Sequence, residues 1–149
     1  MTPTELQRLV ERISADEFNQ PFKHVARFNT RLRTTGGRYL LRTHDIEINP
    51  LMLTEFDETN LIGVIRHELV HYHLHVNGLP YQHKDQAFKT LLAQVEGARY
   101  APTTSKRRVN HTYECPNGHR MERQRRVNIH KYVCGKCKGR LREVALVKE

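Results

Sequence analysis

Residues 67–71 read His-Glu-Leu-Val-His, a pattern whose side chains can bind and use a metal ion. On a helix, positions i and i+4 share one face, so the imidazoles of His67 and His71 can reach the same cation. Glu68 lies one position after the first histidine, and a carboxylate placed there can serve as general base toward water. The motif therefore predicts a catalytic zinc site with Glu68 as its acid/base.

A zinc hydrolase needs a third protein ligand and one coordination position left for water. The candidates after the motif are His73, His75 and His83. His73 follows His71 by only two positions and so points away from the pair. His75 shares the correct stripe, but it lies about 12 Å from His67 along a helix that rises about 1.5 Å per residue. His83 comes after a predicted turn, where the returning chain can present it to the ion, and we predict it as the third ligand.

Four residues near the C-terminal end have the spacing of a structural zinc site. Cys134 and Cys137 form a C-x-x-C pair, and Cys115 is followed four positions later by His119. A Cys₃His set closes a tetrahedral site, as in a zinc ribbon. Short β-like stretches flank these residues, over 107–114, 120–127, 131–133 and 140–147. A redox role for the C-x-x-C pair is the rival interpretation, but no βαβ pattern surrounds it. The open alternatives for the histidine are His111 and His130.

Positive charge is concentrated in the last third of the sequence. The chain has 25 Lys+Arg and 16 Asp+Glu, and because residues 1–100 balance, the net charge of +9 lies in residues 101–149. A basic surface of this kind favours a polyanionic partner. We expect nonspecific binding to nucleic acid phosphates, with Tyr113 and Tyr132 as candidates for base stacking. The predicted contact residues are Arg120, Arg123, Arg125, Arg126 and Lys131.

The elements that must position these residues follow from apolar spacing and turn signals. Three strands are predicted between His24 and Asn49, forming an antiparallel sheet. The paired glycines of Thr34–Gly37 can accept the positive φ of a tight turn, which predicts a hairpin between the first two strands.

Helical periodicity predicts three helices around that sheet. They are an N-terminal helix over Thr4–Ile13, a central helix that begins between Thr54 and Asn60 and carries the histidine motif, and a helix over Lys84–Arg99. The polar, proline-bearing segment 101–105 is predicted to be a linker. The expected fold class is α+β, with residues 1–100 as a compact metallopeptidase domain and residues 106–149 as a basic zinc ribbon. A domain as small as the ribbon commonly needs a metal to fold.

Several segments together resemble one known family. They are RFNTRLRTTGGRYLL, IEINP, HELVHYHLH, the stretch from His83 to Lys89, and YVCGKCKGRL. Their order is similar to that of the SprT-like proteins, the bacterial relatives of the Spartan DNA–protein crosslink proteases. The resemblance implies a zincin-like fold followed by a zinc ribbon, with His67, His71 and His83 as zinc ligands and Glu68 as the catalytic acid/base. Relatives often have C-x-x-C at the first ribbon knuckle, where this chain has Gly118 and then His119.

The leading hypothesis is a zinc-dependent metalloprotease that its basic ribbon tethers to DNA, acting on peptide or on DNA-bound protein. The alternative is a non-enzymatic, zinc-containing nucleic-acid-binding or adaptor protein. We expect one catalytic and one structural Zn²⁺. Three cysteines without an export signal favour the cytoplasm, and no apolar run is long enough to span a membrane. No feature of the sequence indicates an oligomeric state.

Overall fold

The computed structural model describes residues 1–105, 111–123 and 125–144. The chain divides into two units, Met1–Lys106 and Arg107–Glu149. The described part of the first unit contains three α-helices and a three-stranded sheet, and that of the second contains another three-stranded sheet. The α+β class predicted from the sequence is therefore confirmed. Among the described residues, no helix is both long and apolar enough to cross a membrane.

Helix α1 spans Pro3–Phe18, five residues beyond the predicted end at Ile13. Thr2 and Glu5 form a capping box at its start, which satisfies backbone N–H groups that the first turn leaves without partners. The apolar stripe continues to Phe18, which is buried, and Asn19 ends the helix in the left-handed conformation. The longer helix covers the sheet with one continuous apolar face.

The first sheet is mixed, so the predicted antiparallel arrangement is wrong. Its strands are β1 (Ala26–Phe28), β2 (Gly37–Tyr39) and β3 (Ile46–Ile48), in the order β1-β3-β2. Strand β3 is central, parallel to β1 and antiparallel to β2. The hairpin predicted between the first two strands does not form, since these strands lie on opposite edges.

The loop that joins β1 to β2 is held by a buried asparagine instead of a tight turn. The Asn49 side chain donates hydrogen bonds to the carbonyls of Arg33 and Thr35. Gly36 and Gly37 are not among the described glycines with positive φ. They are needed for close approach: a Cβ on Gly36 would lie 2.6 Å from the Cβ of Ala101.

Helix α2 spans Glu58–Val76 and begins within the predicted range. Asp57 caps it by accepting a hydrogen bond from the backbone of Asn60, and a π-helical turn, Met52–Phe56, precedes it. Its buried apolar residues pack against α1 and the sheet in the main core. The helix therefore holds its histidines on a buried scaffold.

Helix α3 spans only Gln86–Gln94, shorter than the predicted Lys84–Arg99. Glu96 adopts a left-handed φ of 55°, and the backbone N–H of Gly97 bonds to the carbonyl of Leu92. This arrangement is typical of a helix C-terminus. The chain then turns back along α2, and the segment 101–105 also lies on the first unit, where the hydroxyl of buried Thr104 donates to the carbonyl of Arg33.

The second unit is a small antiparallel sheet. Its strands are β4 (His111–Glu114), β5 (Arg120–Arg123) and β6 (Arg142–Val144), in the order β5-β4-β6. The predicted stretch 131–133 contributes only an isolated bridge between Val133 and Arg140. Residues 107–110 and 145–147, which belong to two of the predicted β stretches, lie outside the described residues. The described core contains just four buried hydrophobic residues, which are Tyr113, Cys115, Cys134 and Leu141.

Candidate metal centre

Three imidazoles of the first unit converge on one point. The Nε2 atom of His83 lies 2.9 Å from Nε2 of His67 and 2.9 Å from Nε2 of His71. One ligand atom from each of the three residues lies within 4.8 Å of the others. The structure thus brings together the three ligands predicted from the sequence.

The other ring nitrogens determine which tautomer the two helical histidines adopt. Nδ1 of His67 lies 2.6 Å from the carbonyl of Ala98, and Nδ1 of His71 lies 2.6 Å from the carbonyl of Tyr81. A carbonyl only accepts, so each Nδ1 must carry the proton and each neutral ring presents a lone pair at Nε2. Lone pairs that face one another are unfavourable unless a proton or cation lies between them, and carbonyl-bound imidazoles of this kind are typical of zinc ligands.

Burial keeps these two rings in the neutral form that binds metal. It lowers the pKa of His71 to about 4, although the hydrogen bond to Tyr81 opposes the shift. The pKa of His67 is lowered mainly for the same reason. Because neither ring needs to lose a proton near neutral pH, the cluster suits a divalent cation.

A tight reversal after α2 delivers His83 to the pair. Gly78 adopts a φ of 71°, which favours glycine, and the N–H of Leu79 bonds to the carbonyl of Leu74 at 2.8 Å. Asp85 lies at the N-cap position of α3 and accepts a hydrogen bond from the backbone of Gln82. That carboxylate therefore orients the loop carrying His83.

Glu68 lies beside the histidines but outside their ligand set. It is 6% exposed, and burial raises the pKa of its carboxyl to about 8. A Cβ on Gly37 would lie 3.2 Å from its Cγ, so a side chain on that strand residue would crowd the carboxylate. The glycine on β2 therefore leaves room for the Glu68 side chain.

The histidines and Glu68 open onto a cleft of about 620 Å³. Edge strand β2 lines one side through Gly37, Arg38 and Tyr39, and Val64 of α2 lines another. An edge strand has backbone groups free to pair with an extended chain. The cleft therefore offers a binding surface next to the metal centre.

The two rejected ligand candidates have other partners. Nε2 of His73 lies 2.7 Å from the hydroxyl of Ser14, and both residues are buried between α1 and α2. Nδ1 of His75 lies 2.6 Å from the hydroxyl of Tyr39. Sequence reasoning missed Tyr39, whose hydroxyl also contacts His44 and whose pKa burial raises to about 12. The only signal in the sequence for this role of Tyr39 is its position on a predicted strand that could pack beside the histidine motif.

The second unit brings together the predicted Cys₃His set. Sγ of Cys115 lies 3.5 Å from Sγ of Cys137, and Sγ of Cys134 lies 3.6 Å from Nδ1 of His119. Both distances are close to the separation of roughly 3.8 Å expected between two sulfur ligands of a tetrahedral zinc ion whose bonds are about 2.3 Å long. Gly118 turns the chain with a φ of 83°, which places His119 in the cluster. Neither alternative histidine belongs to this cluster of described residues, and the ring of His111 instead pairs with Glu143.

The thiols of this cluster differ in acidity. Hydrogen bonds involving Asn117 and Gly139 lower the pKa of Cys137 to about 7, and backbone hydrogen bonds lower that of Cys134. Burial raises the pKa of Cys115. All three cysteines are free thiols. Since the thiolate is the metal ligand, the first two shifts favour binding.

The predicted nucleic-acid contacts are exposed cations of the second unit. Arg120 and Arg123 lie on β5, whereas Arg125 and Arg126 follow its end. The ammonium of Lys131 lies 5.6 Å from the centre of the Tyr132 ring. Tyr113 cannot stack on a base, because it is 1% exposed in the core.

Comparison with known proteins identifies the family. A model of the SprT-like family matches residues 6–112. A "Protein SprT-like" from Lactiplantibacillus plantarum is 55% identical, over 97% of this chain and 100% of its own length. Proteins of the same name from Geobacillus sp. and Enterococcus faecalis are 50% and 51% identical, each over 95% of this chain and over 95% and 94% of their own lengths. No solved structure matches. The chain belongs to the SprT-like family.

Proposed function

We propose that this chain is a zinc-dependent metalloprotease with a zincin-like catalytic unit. His67, His71 and His83 would hold the zinc ion, and Glu68 would activate water for peptide hydrolysis. The observation that carries the proposal is the convergence of three Nε2 atoms beside a buried carboxylate in an open cleft. Membership of the SprT-like family supports the same activity.

The ligand count favours catalysis over a purely structural role. Among the described residues, the cluster in the first unit has three ligating side chains, whereas that in the second has four. Structural zinc sites are closed by four protein ligands, and catalytic sites have three and keep one position for water or substrate. This difference argues against the alternative of an adaptor protein in which both metals are structural.

Glu68 would move the protons in this mechanism. When bound, zinc supplies a Lewis acid that lowers the pKa of water toward about 7 and polarises a carbonyl oxygen. The neighbouring positive charge would also favour the ionised form of Glu68, whose pKa burial otherwise raises to about 8. Glu68 would then accept a proton from water and transfer it to the leaving amine.

The substrate would bind as an extended chain along β2. This strand is an edge of the sheet and lines the cleft. Backbone pairing with an edge strand gives affinity without strict dependence on side chains. A protease of this kind would cleave many different proteins, so its selectivity must come from elsewhere.

We place that selectivity in the second unit. Its Cys₃His set would hold a structural zinc, and its exposed cations would bind DNA phosphates with little sequence preference. Tethering to DNA raises the effective concentration of DNA-bound proteins at the cleft. The preferred substrates would therefore be proteins attached to nucleic acid.

Glu68→Gln tests the proposed activity. The amide keeps the shape of the side chain but cannot accept a proton from water, so we expect zinc content and fold to be retained and hydrolysis to fall by roughly a hundredfold or more. The assay is cleavage of a DNA-binding protein with and without DNA, with zinc measured in parallel. Glu58→Gln, at an exposed position of the same helix, is the matched control and should leave cleavage unchanged.

The outcomes separate the two candidate functions. Retained cleavage by Glu68→Gln would reject the carboxylate as the base. A wild-type chain that binds zinc and nucleic acid but cleaves no protein would favour the adaptor.

A further inference from the structure

A second concave site lies on the face of the first sheet opposite the core. Arg27 on β1 and Arg38 on β2 are both cross-strand partners of Glu47 on β3. Cross-strand partners project to the same face of a sheet. The alternate residues Ile46 and Ile48 are fully buried in the core, so the two guanidinium groups and the carboxylate occupy the outer face.

Glu47 holds both arginines in place. Its carboxylate accepts hydrogen bonds from Nε of Arg27 at 3.1 Å and from Nε of Arg38, as well as from the amide of Asn29 at 3.2 Å. Asp45 accepts a further bond from Nη1 of Arg27 at 2.9 Å. The side chains of Arg27 and Arg38 nevertheless remain 41% and 51% exposed. Two guanidinium groups are thus pre-positioned while parts of both remain accessible.

These residues line a cavity of about 610 Å³, which we name the arginine cavity. Exposed Arg31 also lines this cavity, on a turn where the side chain of Asn29 accepts a hydrogen bond from the Arg31 backbone. The lining therefore includes three arginines but only one carboxylate, that of Glu47. Even with Asp45 included, the site keeps a net positive charge.

The surrounding sequence adds to this charge. Residues 18–44 contain no Asp or Glu, although residues 1–100 as a whole are balanced. The basic residues of this segment are Lys23, Arg27, Arg31, Arg33, Arg38 and Arg42. The first unit therefore has a local basic region that its overall charge conceals, and this region favours a polyanion.

The arginine cavity adjoins the catalytic cleft. Arg38 lines both of them. An anion bound beside Arg38 would lie next to the strand that we propose for the substrate. This position is useful to a protease that acts on nucleic-acid-bound protein, because it would guide the attached protein into the cleft.

We propose that the arginine cavity binds phosphate groups of a nucleic acid backbone, so that the catalytic unit has a contact of its own, separate from the ribbon. The benefit of this contact for cleavage rests on the proposed function, whereas binding of nucleic acid to the arginine cavity does not. Guanidinium groups match phosphate oxygens with paired hydrogen bonds. A nucleic acid also presents successive phosphates to the spaced cations of residues 23–42, which a single free anion cannot do.

The test uses the full zinc-loaded chain in which ribbon cations are neutralised. The background carries Arg120→Gln, Arg123→Gln, Arg125→Gln, Arg126→Gln and Lys131→Gln. Binding of a labelled single-stranded oligonucleotide is followed by fluorescence anisotropy between about 50 and 200 mM salt. We expect this background to bind the oligonucleotide more weakly than the wild-type chain but still in a salt-sensitive way. Adding Arg31→Gln should reduce the affinity by roughly threefold or more at low salt, and should lower the slope of log affinity against log salt concentration by about one. Arg12→Gln, at an exposed position of α1, should change neither quantity.

The remaining outcomes would overturn the proposal. Equal affinity and slope for Arg31→Gln and Arg12→Gln would exclude a phosphate contact in this cavity. Competition by poly-glutamate as effective as that by unlabelled oligonucleotide would favour an acidic protein partner. If inorganic phosphate displaced the labelled oligonucleotide as well as unlabelled oligonucleotide does at the same total phosphate concentration, the cavity would be a site for free anions and not for a nucleic acid backbone.

This experiment and the Glu68→Gln test fail independently. Anisotropy needs no hydrolysis, so an inactive wild-type chain would leave the binding result intact. Conversely, Glu68→Gln removes the proposed base but leaves every residue of the arginine cavity in place, so this variant should bind the oligonucleotide as the wild-type chain does.

Discussion

At the scale of single residues, the geometry of the candidate metal centre depends on backbone carbonyl groups as well as on its histidines. Ala98 and Tyr81 accept the Nδ1 protons of His67 and His71 and so direct both Nε2 lone pairs toward His83. The position of Ala98 depends in turn on Gly97. A Cβ on Gly97 would lie 2.5 Å from Cδ1 of Leu92 and 3.3 Å from the backbone nitrogen of His67, so a side chain there would crowd this segment against α2.

Gly97→Ala should therefore weaken zinc binding without changing any ligand. We expect the added methyl group to push residues 97 and 98 away from α2, lowering the free energy of unfolding by about 1–3 kcal/mol and zinc affinity by roughly tenfold. Thermal unfolding and competition with a chelator measure these two quantities. Gly63→Ala is the matched control, since its Cβ would meet Ala98 at an ordinary 3.4 Å and alanine favours a helix. Unchanged zinc affinity in Gly97→Ala would contradict the role assigned to Ala98.

At the scale of elements, strand β3 contributes to both faces of the first sheet. Its isoleucines pack in the core beneath α2, and its Glu47 binds the arginines of the outer face. Burial raises the pKa of Glu47, but hydrogen bonds from Arg38 and Asn29 and the charges of Arg38 and Arg27 lower it by more, so the net pKa is below its ordinary value of 4.5. The ionised carboxylate is therefore the form that stabilises the sheet.

This shift predicts a loss of stability in acid. A pKa lower in the folded than in the unfolded chain stabilises the fold above about pH 4.5, and that contribution disappears as the pH falls through the folded pKa. Glu47→Gln should lower the free energy of unfolding by about 1–2 kcal/mol at neutral pH, a value reduced by the exposure of the arginines. Urea unfolding of both chains from pH 3 to 7 should show this difference shrinking below about pH 4.5. A difference that persists unchanged in acid would show that packing, and not charge, is responsible.

At the scale of the whole molecule, we expect the two units to depend on metal in different ways. The first has a core that extends over α1, α2, α3 and the sheet, so we expect its fold to persist without an ion. Among its described residues, the second has four buried hydrophobic residues, two of them cysteines of the candidate metal cluster. A core this small commonly needs a cross-link, so we expect binding of the proposed structural zinc to contribute directly to folding.

Metal analysis should find about two zinc ions per chain. Cys134→Ser combined with Cys137→Ser should leave about one zinc, retain cleavage of free protein and unfold the second unit. His71→Ala should also leave about one zinc but abolish cleavage. Zinc content and amide hydrogen exchange of each unit measure these effects. Loss of both ions in either variant would contradict independent sites.

Local patterns in the sequence were sufficient to predict the individual helices and the candidate metal ligands. The i and i+4 spacing of His67 and His71 follows from helix geometry, and the C-x-x-C pair follows from the short loop that a zinc knuckle needs. The capping signal and apolar spacing likewise predicted where α2 begins, because these signals act within a few residues. His83 and His119 required only that a turn bring the chain back toward a nearby ligand.

Tertiary structure decided how these components combine. The parallel pairing of β1 with β3, the carbonyls of Ala98 and Tyr81 at the ligands, and the shared position of Arg38 between cleft and arginine cavity all join segments distant in sequence. Gly36 and Gly37 illustrate the reason. A pair of glycines is equally compatible with a hairpin turn and with close packing against other segments, and only the packing of Ala101 and Glu68 against this pair shows that the second applies. Periodicity describes the environment along one element, but it does not contain the distances between elements, which the packed core determines.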